Sequence, residues 1–410
     1  MRPPAPESSA PLTRAVGLPG ACALGLGAML GTGVFVAPAL AAGQVDRPWK
    51  LHAAVLAAGG LAACNATSSA RLAAHHPVAG GAYAQALHLL PRPVAAPVAL
   101  CAGWLFLAAK SLSAATAMLA LSAALIALLS PDAAWAVRPL AVGGALGCTI
   151  LVLEGLRRTA RVNALLVAGV LAVLVGFIVR AFGHAAAAPV HPPAGDRLGF
   201  AAAAALVFVA YTGYGRLATL AEEVRRPTRT LPLAIGLTLL TTAALYLAVT
   251  AAALHLAGLH GLARAGRNAG NPLLAIAPDT ATAWALGAAA ALALIGVTVN
   301  LVLGLSRVAL AMARHRHLPA PLARVRTGSA TPTTPATPAL AVITTGGAVA
   351  ALTLLGDIRL TWSLSAAAVL AYYAINNAIA LRLPGAAGRA TAGLGLLGCI
   401  ALAAAALRTL

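Results

Sequence analysis

Apolar residues along this 410-residue chain come in long runs, separated by short polar stretches. Eleven runs stand out, at about 16–43, 50–70, 94–128, 139–153, 162–180, 199–221, 231–256, 281–312, 336–355, 360–381 and 391–408. Most have roughly the twenty residues that cross a bilayer as an α-helix. None alternates apolar and polar residues as the strands of an outer-membrane barrel do. The pattern predicts an all-α polytopic membrane protein of about eleven transmembrane helices. The run at 139–153 is short and is expected to extend toward its N-terminal side. Residues 1–15 are polar and proline-rich and read as a cytoplasmic tail. The first run is too long for a cleaved signal and lacks a small-residue cleavage pattern, so it reads as a spanning helix.

Two runs are interrupted by helix-weakening residues. The first contains "GAMLGTGVFVAP" at 27–38, with Gly31, Thr32 and Gly33 in its middle. The sixth contains "LVFVAYTGYGRLATLAEEV" at 206–224, with Thr212, Gly213 and Gly215. Either element alone reads as a notch for close helix packing. Both together, five helices apart, point to a transporter built from two inverted repeats with a site at the membrane midplane. Unwound backbone at membrane depth leaves N–H and C=O groups unmet, and it persists only where protein, water or ligand meets them. The half-helix after Gly33 offers free N–H groups and a positive dipole end to a carboxylate. Carbonyls before Thr212 suit an ammonium. The two breaks together suit an α-amino acid.

Composition narrows the alternatives. The chain is 60% hydrophobic and 9% charged, against roughly 25% charged residues in soluble domains. The formal net charge of +19 does not mark a nucleic-acid binder, because the basic residues sit in short loops between apolar runs. With the N-terminus in the cytoplasm, 16 basic residues fall on the cytoplasmic side and 9 on the outer side. Cys22, Cys64, Cys101, Cys148 and Cys399 all lie in apolar runs with no CxxC pair, so no metal site is expected. No catalytic constellation is present, and the chain is not expected to be an enzyme.

The stretches "GAMLGTGVFVAPAL", "HHPVAGGAYAQA", "GWLFLAAKSLSAAT", "FVAYTGYGRLATLAEEVRRPTRTLPLAI" and "SRVALAMARHRHLPAPLARV" resemble the amino acid–polyamine–organocation (APC) transporters. The resemblance implies a LeuT-type fold, with two inverted five-helix repeats and discontinuous helices 1 and 6. Repeat one would cover about 16–180 and repeat two about 199–382, within a core at 16–382. An extra transmembrane helix would follow at 383–410. The implied substrate-binding residues are Met29, Gly31, Thr32 and Gly33 at the first break. At the second they are Phe208, Ala210, Tyr211, Thr212 and Gly213. The resemblance also implies alternating access, in which a bundle of helices 1, 2, 6 and 7 rocks against a scaffold of 3, 4, 8 and 9. Some proton-coupled members have a Lys in helix 5 where this chain has Val170, so that device does not carry over.

Lys110 is the unusual charge. It is one of two lysines and lies near the middle of the third run, where an ionisable residue is by default functional. A buried lysine can lose its proton and arginine cannot. Lys110 is expected either to carry a coupling proton or to pair with the substrate carboxylate. No Asp or Glu lies at mid-membrane, which favours neutral amino acids over cationic ones or polyamines. The expected partners are a small amino acid substrate and the lipid bilayer of the cell (inner) membrane. No cofactor is expected; the coupling ion is expected to be a proton, with sodium at Asn300 and Ser306 the alternative. Tyr214, Glu222 and Arg307 are candidate gate residues. Tyr372, Tyr373, Asn376 and Asn377 read as packing or as gate lining.

Overall fold

The computed structural model describes residues 17–75, 80–154, 160–187, 199–215, 224, 226–268, 270–325 and 338–408. Among the described residues each apolar run carries helix and no strand occurs. The first run is α1 (Leu18–Met29), α2 (Thr32–Phe35) and α3 (Ala37–Ala42). Then come α4 (Pro48–His75), the short α5 (Gly81–Leu89), α6 (Arg92–Leu129), α7 (Val137–Leu153) and α8 (Ala160–Phe182). The second half has α9 (Gly199–Tyr211) with a 3-10 turn, Thr212–Tyr214, then α10 (Pro227–Asn268) and α11 (Pro272–Ala275). It closes with α12 (Thr280–Arg314), α13 (Ala339–Thr353), α14 (Ile358–Ala380) and α15 (Ala386–Leu407).

Eight of these helices are long and apolar enough to cross a membrane, and the bent pair 18–29 and 32–42 makes a ninth. The segments Gly199–Tyr214 and Ala339–Thr353 are apolar but shorter. The run at 139–153 begins earlier than its apolar stretch, as expected: α7 starts at Val137 after a 3-10 turn at Ala134–Ala136. Large apolar side chains such as Leu165, Leu240 and Leu397 stand about 70% exposed on the bundle surface. In water such a surface would aggregate; against acyl chains it is the expected finish.

Helices in lipid gain nothing hydrophobic from meeting each other, so close van der Waals packing through small residues must hold them. This sequence supplies them. A Cβ on Gly266 would come within 2.6 Å of the Ala39 carbonyl oxygen, so the distal part of α10 rests directly on α3. α10 reaches that position by a break at Gly258, whose φ of 64° and ψ of 176° suit glycine alone. The bent first pair packs on α9, α4 on α10, α6 on α12 and α7 on α13. α1 also packs on α10 as α4 does on α9, α6 on α14 as α12 on α8, and α1 on α8 as α9 on α14. α15 lies against α14, α4 and α9.

Several polar groups inside the bundle are paired across helices. Trp362 on α14 donates to the Leu206 carbonyl of α9 at 2.9 Å. Asn377 on α14 donates to Asn65 Oδ1 on α4 at 2.6 Å, and the Asn65 amide donates to Cys399 Sγ on α15 at 3.3 Å. This triad joins α15 to the bundle from within. At the pole opposite the start of α1, Asp279 caps α12 through the Thr282 amide at 2.9 Å and pairs with Arg180 of α8 at 2.8 Å. The Thr282 amide and the Arg180 guanidinium hold the Asp279 carboxyl below the usual carboxylate range. A depressed folded pKa contributes stability above the unfolded value and loses it as pH falls through the folded one. Asp279→Ala is therefore expected to melt below the wild type at neutral pH, with the gap closing on acidification. A gap unchanged across the acid range in a thermal-unfolding series would refute this.

Candidate functional site

The first interruption is a break in the helical backbone, and at the second the α-helix gives way to a 3-10 turn among the described residues. α1 ends at Met29, and Leu30 (φ −79°, ψ 72°) and Gly31 (φ −143°, ψ −130°) leave the helix before α2 restarts at Thr32. The two halves meet at 49°. Gly31 N–H turns back to the Met29 carbonyl at 3.0 Å. The amides of Thr32 and Gly33 start the new helix with no acceptor among the described residues. The Thr32 hydroxyl is buried and has no partner among the described residues. In the sixth run α9 stops at Tyr211 and tightens into the turn Thr212–Tyr214.

The breaks lie side by side. A Cβ on Gly213 would come within 2.6 Å of the Ala28 carbonyl oxygen and 2.7 Å of Met29 Cγ. One on Gly33 would come within 2.6 Å of Ala210 Cβ and 2.5 Å of the Tyr246 hydroxyl. One on Gly31 would meet Val297 of α12 at 2.5 Å. The glycines thus do two jobs: they break the helix, and they let the breaks approach each other.

One residue outside both breaks joins them. Tyr246, fully buried on α10, donates to the Met29 carbonyl at 2.7 Å and also reaches the Ala210 carbonyl at 3.2 Å. A phenol has a single hydrogen to donate. The shorter bond goes to Met29, so Ala210 keeps an oxygen with capacity for another donor. Thr242, one turn earlier, donates to Met29 Sδ at 3.3 Å.

Lys110 of α6 is buried, and its Nζ donates to Thr212 Oγ1 at 2.9 Å. Thr212 Oγ1 in turn donates to the Val209 carbonyl at 2.8 Å. The neighbouring α6–α14 seam is polar. Ser113 and Ser365 hydroxyls lie 2.7 Å apart, and Thr116 donates to Thr361 at 2.8 Å. Aromatic rings close the other flank: Phe208 stands edge-on to Tyr373 at 5.8 Å, and Tyr214 packs on Tyr373 at 5.6 Å. Tyr211 turns away toward α4, where its hydroxyl donates to the Val55 carbonyl at 3.3 Å.

The structure therefore brings together Met29, Gly31, Thr32, Gly33, Ala210, Thr212, Gly213 and Lys110. Phe208 and Tyr214 form a buried aromatic wall with Tyr373. Tyr211 contributes backbone and packs its ring against Tyr246 at 5.2 Å. Of the expected gate, Arg307 is exposed on α12, while Glu222 and the neighbouring Glu223, Arg216 and Arg225 lie outside the described residues. Asn300 lines a cavity of about 20 Å³, room for one water, behind the first break. Asn163, Gly27, Leu30, Val170 and Gly296 share that lining. Ser306 instead bonds back to the Leu303 carbonyl. Among the described residues no His, Cys, Asp and Glu cluster could hold a metal ion.

Tyr246, Val297 and Trp362 escape a reading of the sequence. The only signal for Tyr246 is that it is the lone Phe, Trp or Tyr in the run 231–256. Removing its hydroxyl takes one of two donors from the Met29 carbonyl, which keeps the Gly31 N–H, and a hydrogen bond of this kind contributes about 0.5–1.5 kcal/mol. Tyr246→Phe is expected to lower the melting temperature in detergent by a few degrees, because about 1 kcal/mol moves the midpoint of a large chain by roughly 2 °C. An unchanged melting temperature would show that the bridge contributes nothing.

Comparison with known proteins fits this geometry. The family description "Amino acid permease" matches residues 16–388. An uncharacterized transporter of Mycobacterium tuberculosis is 38% identical over 406 residues, covering 96% of this chain and 86% of the relative. An uncharacterized transporter of Mycobacterium bovis matches equally. A vacuolar cationic amino acid transporter 2 of Arabidopsis thaliana is 30% identical over 262 residues, 58% of this chain and 40% of that protein. The chain is a multi-pass membrane transporter rather than an enzyme, and it belongs to the amino acid permease family.

Proposed function

We propose that the protein is a secondary active transporter of neutral amino acids, working by alternating access around the two breaks. The observation that carries this reading is the pairing of the two interruptions: on one side the amides of Thr32 and Gly33, without an acceptor among the described residues, and on the other the Ala210 carbonyl with room for a further donor. The first suits a carboxylate and the second an ammonium, and Gly33 packs directly on Ala210.

A five-plus-five inverted repeat is supported by the packing. Exchanging each span for the one five later turns observed helix pairs into observed helix pairs: α1 with α10 becomes α9 with α4, and α6 with α14 becomes α12 with α8. Five helices per repeat would place the halves in opposite orientations. The excess of basic residues on the side of the N-terminus supports a cytoplasmic N-terminus in a cell membrane.

The Arabidopsis relatives are named cationic amino acid transporters. A cationic side chain would want a carboxylate nearby, and among the described residues none is buried; Lys110 stands at the second break instead. That contact favours substrates without a side-chain cation, and it makes a proton at Lys110 the natural coupling ion.

Counterflow of radiolabelled amino acids in proteoliposomes is expected to show exchange of neutral amino acids and little of arginine or lysine. Exchange of no amino acid would overturn the proposal. Gly31→Ala is expected to abolish exchange by driving into Val297, and Gly31→Ala/Val297→Ala to restore part of it. Failure of the double variant, with the protein still folded, would make the torsional freedom of Gly31 the reason instead.

A further inference from the structure

Lys110 reaches the second break, the end of the site that suits an ammonium. Its Nζ carries three N–H donors when charged. Among the described residues it makes a single hydrogen bond, to Thr212 Oγ1 at 2.9 Å, and no ion pair. The Thr212 hydroxyl spends its own hydrogen on the Val209 carbonyl at 2.8 Å. The relay is therefore oriented, with the lysine nitrogen donating at one end and a helix-end carbonyl accepting at the other. Val209 and Ala210 are adjacent, so the carbonyl at the end of this relay neighbours the one that keeps an open acceptor beside Tyr246. Lys110 thus approaches the second break as a substrate's amino group would, tethered to α6 in place of a free ligand.

Among the described residues the surroundings offer no buried counter-charge. The titratable groups on the elements packed against α6 are Tyr83 and the exposed His88 on α5, Tyr372 and Tyr373 on α14, and Cys148 on α7. Arg138 and Glu154 sit at the ends of α7, Asp357 and Arg359 at the exposed start of α14, and Arg307 and Arg314 are exposed on α12. α6 itself adds Arg92 at its start and the exposed Cys101. α2 and α13 bring none, and the second break adds Tyr211 and Tyr214. No buried carboxylate is among them. Two ammonium groups within a few ångströms in a desolvated site disfavour each other's charged form.

We propose that Lys110 is a built-in competitor of the substrate's ammonium, so that loading the second break with an amino acid expels the proton Lys110 holds in the empty carrier. The step balances simply. One N–H bond of the lysine ammonium breaks, its electron pair stays on Nζ, and the proton leaves to the aqueous phase facing the open site. The neutral Nζ can then accept a hydrogen bond from the Thr212 hydroxyl. The empty carrier reorients with a proton and the loaded carrier with an amino acid. The coupling is therefore antiport, one proton against one amino acid, and an inward proton gradient drives export. This inference rests on the reading that amino acids fill the two breaks.

The test uses the full chain purified in detergent, weakly buffered with a pH indicator, and titrated with L-alanine and L-leucine. The wild type is expected to release about one proton per amino acid bound, with Kd falling about tenfold per pH unit over the same range. Lys110→Met is expected to bind with no release and a pH-independent Kd. Lys110→Arg cannot shed its charge and is expected to lose measurable binding. The proton count on the wild type stands even if a variant does not fold. Binding without proton release, or Lys110→Arg binding like the wild type, overturns the competitor role and leaves the amino-acid reading intact. If no amino acid binds the wild type or Lys110→Met, both readings fall together.

Discussion

Everything at the centre of this molecule follows from one constraint: a peptide group at membrane depth has no water to fall back on. Breaking the first spanning helix, and tightening the sixth into a 3-10 turn, creates that problem at two neighbouring places. The fold answers by laying the two breaks against each other and threading one phenol between them. Tyr246 meets the Met29 carbonyl and leans on the Ala210 carbonyl, while the amides of Thr32 and Gly33 find no acceptor among the described residues. The protein satisfies some of its own unwound backbone and leaves a polar remainder of the sort an amino acid's two charged ends would fill.

The glycines are where backbone chemistry and packing become inseparable. Gly33 is needed both to start a helix and to let Ala210 and Tyr246 approach, and Gly213 lies on the backbone of α1 itself. A choice between packing notch and functional break is a false one here, because the notch is what brings the two breaks into one site. The polar seam between α6 and α14, with Ser113, Ser365, Thr116 and Thr361, holds Lys110's helix in a fixed register beside it.

Much of this was legible in the sequence, and for physical reasons. Apolar length alone marks a span, so all eleven runs landed on helix. Gly-Thr-Gly and Thr-Gly in such runs are costly enough to signal a break, and a lysine at mid-span is rare enough to signal use. What stayed hidden depends on contacts made across the fold. Tyr246 lies 217 residues from Met29, and nothing near it in the chain distinguishes it from a packed tyrosine. Val297 is one valine among many until Gly31 is seen against it. The direction of Lys110 was open between the two breaks, because a helical position fixes depth but not which neighbour a long side chain meets. Glu222, expected at a gate with Arg307, lies outside the described residues.

The eleventh helix carries a consequence of a different kind. α15 touches α14, α4 and α9 and is fastened to two of them through the Asn65–Asn377–Cys399 triad. Among the described residues no matching helix covers α8, α10 and α1, the faces five spans away. If the chain works by the alternating access proposed above, two equivalent halves would give inward-facing and outward-facing forms of similar energy. α15 meets two helices of the second half and one of the first, so its contacts would remove that degeneracy, and about 1.4 kcal/mol of difference in them weights the two forms tenfold. In that cycle α15 would act as a ballast, setting which way the empty carrier rests.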